Sequence, residues 1–134
     1  SFFTSLMPIL AVKGVPEALA QVRGPLILIA NLLTEGQGMA DFTAGDAVRL
    51  IEQAAGRPVN AVVFNEAQPA ADVLARYADE HKHPLELGTL PASCTLVSGR
   101  FWWREIARHD RLRLAHALWA VLAATLERRT RPRL

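Results

Sequence analysis

Apolar residues fall along this chain in short runs divided by polar segments that carry glycine and proline. Leu26 to Ala30 is too short for a core helix and rich in Ile and Leu, the signature of a buried strand. Val59 to Phe64 repeats that pattern and ends in Asn65-Glu66, and Leu85–Leu87 and Cys94–Val97 are two further short strand candidates. Helical spacing separates them. Thr43 to Ala55 sets Val48, Ile51 and Ala55 on one face and closes at Gly56. Pro69 to His81 turns Val73, Leu74, Tyr77 and Ala78 inward. Arg111 to Arg128 is the longest helix, with Leu114, Leu118, Val121, Leu122 and Leu126 as its core face and Trp119 as a further core residue. Near the amino end, Gly14 breaks the chain, and Pro16 at a first helical position with Glu17 beside it starts a short helix to Val22. Ser1 to Leu10 reads as a helix start, since its hydroxyls are good caps and Pro8 is tolerated only near a first turn. Such alternation predicts one α/β domain over residues 1–134, with a mostly parallel sheet and right-handed crossovers.

The connection after the first strand is the richest in chemistry. Ordinary strand-to-helix loops run to about 2–6 residues, whereas a dozen separate Ala30 from Thr43 here. In open α/β sheets, ligands bind beyond the carboxyl ends of parallel strands, so this loop is a site candidate. Asn31, at the strand end, either reads a base or sugar with its amide or ties the loop down. Thr34 and Thr43 have the same two readings, with Thr43 inclined to a cap because Thr43-Ala44-Gly45-Asp46 has capping-box spacing. Asp41 is a ligand for Mg2+, a partner for a ribose hydroxyl, or a solvated turn residue. Ser1, Thr4 and Ser5 offer hydroxyl and backbone donors either to a phosphate or simply to a helix end.

Composition narrows the classes. A single cysteine, Cys94, excludes an intrachain disulfide framework and suits a reducing cytoplasm. Neither a signal peptide nor a membrane span is visible, so a soluble, cytoplasmic protein without a membrane partner is expected. The net charge of +2 hides an acidic body and a basic end: residues from Arg100 onward hold nine Arg against Glu105, Asp110 and Glu127. With no stacking motif beside them, these arginines read as a solvated helix and tail, and no nucleic-acid partner is expected. The four histidines form no metal set by spacing, and His109-Asp110 reads as two surface residues. Phe101-Trp102-Trp103 fills a core or a subunit interface, which leaves a homodimer open.

Three stretches together resemble the CofD-like superfamily, which includes the gluconeogenesis factor (YvcK) proteins. Ser1-Phe2-Phe3-Thr4-Ser5-Leu6-Met7-Pro8 followed by an apolar stretch into Gly14-Val15 is similar to the segment after that family's Gly-Pro-Gly. Asn31-Leu32-Leu33-Thr34, with the later Phe42-Thr43-Ala44 and Asp46, resembles its Asn-Leu-Met-Thr loop. Arg108-His109-Asp110 resembles the Arg-His-Asp-Pro stretch before its terminal helix. The resemblance implies a Rossmann-like sheet flanked by helices and a phosphorylated nucleotide or nucleotide-sugar ligand, with Ser1, Thr4, Ser5, Asn31, Thr34, Asp41 and Thr43 as its site. It also implies two alternatives: a phospholactyl-type transferase acting on a deazaflavin with Mg2+, or a non-catalytic subunit. Departures occur at Glu35-Gly36-Gln37-Gly38-Met39-Ala40-Asp41, where the family commonly has Gln-Pro-Gly-Glu-Thr-Asp-Gly, and at Ala47, where a His is usual. The family's glycine-rich phosphate loop does not occur in these residues, so the chain resembles the carboxyl-terminal half of a larger domain.

Overall fold

A computed structural model of the chain describes residues 1–39 and 41–130. Its centre is a three-stranded parallel sheet, β1 (Ile27–Ile29), β2 (Ala61–Asn65) and β3 (Thr95–Gly99), in the order β1-β2-β3. Ile27 pairs with Ala61, and Ala61 with Thr95, so the three strands run in one shared register. The helices are α1 (Met7–Leu10), α2 (Val15–Gln21), α3 (Ala44–Ala55), α4 (Ala71–Ala78) and α5 (Arg111–Thr130). A hairpin of β4 (Trp102–Trp103) and β5 (Ile106–His109) stands between β3 and α5. No single helix among the described residues is long and apolar enough to cross a membrane; Phe2–Leu10 and Val15–Gln21 are so only jointly, and they bend by 78°.

The largest core lies where α1 and α3 cover one face of the sheet. Leu28 and Val62 from the strands meet Val48 and Ile51 of α3, together with Phe2 and Leu10. Val48 and Val62 are 0% exposed, and each fully buried side chain of this kind contributes about 1.5–3 kcal/mol. A smaller core joins Leu32 and Leu33, just past β1, to Val73 of α4 and Trp102 of the hairpin. Local chemistry sets the helix ends. Thr43 caps α3 in a complete capping box with Asp46, and Gly56 closes it in the left-handed region at φ 63°. Arg57 then clamps the α2 exit, donating to the carbonyls of Leu19, Val22 and Gly24.

Several expectations are corrected by this architecture. Leu85–Leu87 is no strand: only isolated bridges form, Leu33 with Pro84 and Thr43 with Glu86. The segment instead lies across the start of α3, where Ala44 N–H donates to Glu86 O at 2.8 Å and Gly45 N–H to Leu87 O at 2.9 Å. Gly88 permits that approach, since a Cβ there would sit 2.3 Å from Thr43 Oγ1 and its φ is +63°. Trp119 is 71% exposed and Leu122 38% exposed, so the inner face of α5 narrows to Val121, with Leu114 and Leu118 half-buried. Leu126, also expected there, has a side chain outside the described residues.

Candidate functional site

The site grows from the way the amino end meets the loop after β1. Pro8 supplies no N–H, and the turn before it widens into a π-helical Phe2–Leu6, with Leu6 N–H donating to Ser1 O at 3.2 Å. This turn presents the Phe2 and Phe3 N–H groups and the Ser1 hydroxyl to a single acceptor. That acceptor is the Glu35 carboxylate. It takes hydrogen bonds from Ser1 Oγ at 2.8 Å, from Phe3 N–H at 3.2 Å, and from the Phe2 N–H. Asn31 Nδ2, at the end of β1, donates to its Oε1 at 2.8 Å. Burial pushes the Glu35 carboxyl upward, but the donors from Phe2, Ser1, Phe3 and Asn31 outweigh it and hold the group below the ordinary carboxylate range. Glu35 is therefore ionised at neutral pH.

Around this carboxylate opens a hollow of about 360 Å3, bordered by Ser1, Asn31, Thr34, Glu35, Lys82 and His109. Three of the expected residues, Ser1, Asn31 and Thr34, thus come together. Thr34 is 4% exposed and committed to structure: its Oγ1 accepts from His83 N–H at 3.0 Å while its own N–H donates to His83 O at 2.8 Å. Thr4 is held to Ser1 at 2.5 Å between hydroxyl oxygens. Ser5, Asp41 and Thr43 do not border this hollow. Ser5 and Asp41 are exposed, and the Thr43 hydroxyl is engaged with Asp46, which also pairs with Arg49 at 2.6 Å. Among the described residues no three His, Cys, Asp or Glu side chains gather as metal ligands. The Glu35 carboxylate is occupied by protein donors.

Glu35 is a residue that the sequence did not place in the site, and His109, expected at the surface, is half-buried instead. His109 ends β5 with its ring in the hollow, and burial lowers its pKa against the opposing hydrogen bond with the Ala30 backbone. It is neutral at pH 7, able to donate from one nitrogen and accept at the other. Asp110 turns the other way and caps α5, accepting from Leu112 and Arg113 N–H at 3.1 Å each. A usable signal existed for Glu35: a carboxylate four residues past a strand-end Asn, near a hydroxyl-rich helix start, is the natural partner of exposed backbone donors.

A match to the family described as 2-phospho-L-lactate transferase CofD spans residues 1–100. A protein named "Putative gluconeogenesis factor" from Nostoc sp. is 35% identical over 89 residues, which are 65% of this chain and 20% of that protein. Its namesake from Thermotoga maritima is 25% identical over 126 residues, 88% of this chain and 40% of its own length. The crystal structure of a UPF0052-family protein from Bacillus halodurans superposes with a TM-score of 0.77 at 24% identity, covering 89% of this chain and 40% of that one. The chain therefore spans well under half the length of these relatives.

Proposed function

Because this chain belongs to the CofD family, we propose that its polar hollow binds the sugar-phosphate portion of a nucleotide-type small molecule, as a ligand-binding regulator of the gluconeogenesis-factor kind. The observation that carries this reading is an ionised carboxylate and a carboxamide held 2.8 Å apart at the end of a parallel strand. An acid in that position is the common partner of ribose or sugar hydroxyls in dinucleotide-binding folds, because each hydroxyl donates to the carboxylate and accepts from the neighbouring amide. A sugar hydroxyl entering here takes over the bond that Ser1 Oγ now makes with Glu35. Lys82 stands at the rim as a counter-charge for phosphate, and it shares its charge with Glu80. Neutral His109, whose N–H is engaged with the Ala30 backbone, adds an acceptor without adding charge.

Transfer of a phospholactyl group to a deazaflavin is the rival reading that the family description raises. The Glu35–Asn31 pair at the strand end favours binding; transfer would in addition need Mg2+ held by a carboxylate and the substrate phosphates. Thermal-shift titration against UDP-glucose, GDP and a deazaflavin tests it. A ligand at 100 times its dissociation constant stabilises by about 2.7 kcal/mol, which moves the melting temperature by several degrees. UDP-glucose is expected to stabilise the wild type and to leave Asn31→Ala unmoved. Asn31 is the better probe than Thr34, whose loss would also free the His83 segment. Equal melting of wild type with and without all three ligands overturns the proposal.

A further inference from the structure

A second hollow opens beside the β4–β5 hairpin, and basic side chains dominate it, whereas Glu35 and Lys82 offset each other in the first. It measures about 460 Å3, and Arg100, Arg104 and Arg113 all border it. They arrive from three places: directly after β3, at the hairpin tip, and in the first turn of α5. Asp110 shares the lining but is already committed, to two backbone N–H groups of α5 and to the Arg113 guanidinium at 3.5 Å. Positive charge is therefore in excess across a concave surface.

Three independent features point to an anionic occupant. Arg104 sits at φ +28°, in the left-handed region that L-residues avoid. A glycine would meet the demand of this turn without strain; what arginine adds is a guanidinium, set 5.8 Å from the Trp103 ring centre. Trp102, 8% exposed, also lines the hollow, and its indole Nε1–H finds no acceptor among the described residues. Ala70, which also borders the hollow, is the N-cap of α4 and makes no side-chain cap hydrogen bond, so first-turn backbone donors lie at the same rim. Guanidiniums bind phosphate through paired, charge-assisted hydrogen bonds, and Trp103, 44% exposed, offers a flat aromatic surface beside them.

We infer that this arginine hollow is a binding site for the polyphosphate of a nucleotide, with its base set beside Trp103. The volume falls within the range of about 300–1,000 Å3 typical of small-molecule sites, and convergence on one concavity differs from the extended stripe that tracks a nucleic-acid backbone. The site is separate from the hollow at Asn31, and the inference holds whether or not that hollow binds a sugar.

Tryptophan fluorescence of the full chain carrying Trp119→Phe tests it, because the remaining indoles, Trp102 and Trp103, both border the arginines. Sodium pyrophosphate and ATP are titrated at fixed ionic strength, with sulfate as the control. The expected result is a saturable change for pyrophosphate and ATP, at least tenfold weaker in Arg104→Gly. The glycine suits the backbone at that position, and Arg100→Gln serves as a second variant with the same expected loss. Absence of a saturable change, an equal effect of sulfate, or wild-type affinity in both arginine variants overturns the inference. Tight binding of a single-stranded oligonucleotide without any response to pyrophosphate overturns it as well.

Discussion

Replacing Glu35 with Gln removes one charge and leaves the shape of the side chain intact. In the wild type the carboxylate gathers donors from Ser1, Phe2, Phe3 and Asn31, and so ties the amino-terminal turn to the loop beyond β1. Hydrogen bonds to a charged acceptor contribute about 1.5–3 kcal/mol each, but Glu35 is only partly buried and solvent screening reduces that figure. Glutamine also keeps one carbonyl acceptor. The net loss is then roughly 1–2 kcal/mol, or a fall in melting temperature of about 4–10 °C for a domain of this size. The effect depends on pH with a definite sign. The folded-state pKa of Glu35 lies below its ordinary value of 4.5, so its stabilisation is fully present above pH 4.5 and disappears as pH falls through the folded value. Melting curves for both proteins between pH 3 and 8, followed by circular dichroism, are expected to differ most at neutral pH and to converge in acid. A constant gap at every pH, or no gap at pH 7, would refute an ionised Glu35 as the tie.

Other expectations bear on the frame around the site. Thr43→Ala removes the α3 cap and is expected to cost about 1 kcal/mol by denaturant melting, whereas Gly88→Ala should cost more, because its Cβ would collide with Thr43 at a left-handed backbone position. Arg57→Ala releases three carbonyls at the α2 exit, with an expected loss of about 1–2 kcal/mol and faster amide exchange in α2. Cys94 is buried, and desolvation, reinforced by the Glu52 charge, raises its thiol pKa; labelling by a thiol reagent at pH 8 should be slow in the native protein and fast in denaturant. Trp119→Ala, at a residue 71% exposed, should change stability by less than about 0.5 kcal/mol.

What could be read from residues alone was the part governed by periodicity. The runs at Leu26–Ala30, Val59–Phe64 and Cys94–Val97 became the three parallel strands, and the capping box with Gly56 marked α3 to the residue at each end. The hairpin escaped because β4 has two residues and its tip, Arg104-Glu105, lacks the Asn-Gly or Asp-Gly usual in tight turns. Leu85–Leu87 looked like a strand because it is apolar, yet its carbonyls are taken by the α3 start rather than by the sheet. At the site, Ser1, Asn31 and Thr34 were legible from chain order and strand ends. The acceptor that joins Ser1 to Asn31 was not: Glu35 acts through a contact 34 residues away in sequence, which no local pattern reports. His109 was hidden for a related reason, since its setting depends on the hairpin.

The most direct test of the account is a nitrogen-15 NMR titration of the chain with UDP-glucose. Binding at the carboxyl end of β1 predicts that the Asn31 side-chain amide and the Phe2 and Phe3 backbone amides shift together along one saturation curve, with the His109 ring signals following. Shifts confined to the opposite flank, in the cavity that Val97 of β3 and Val121 of α5 line, or no shifts at millimolar ligand, would contradict it.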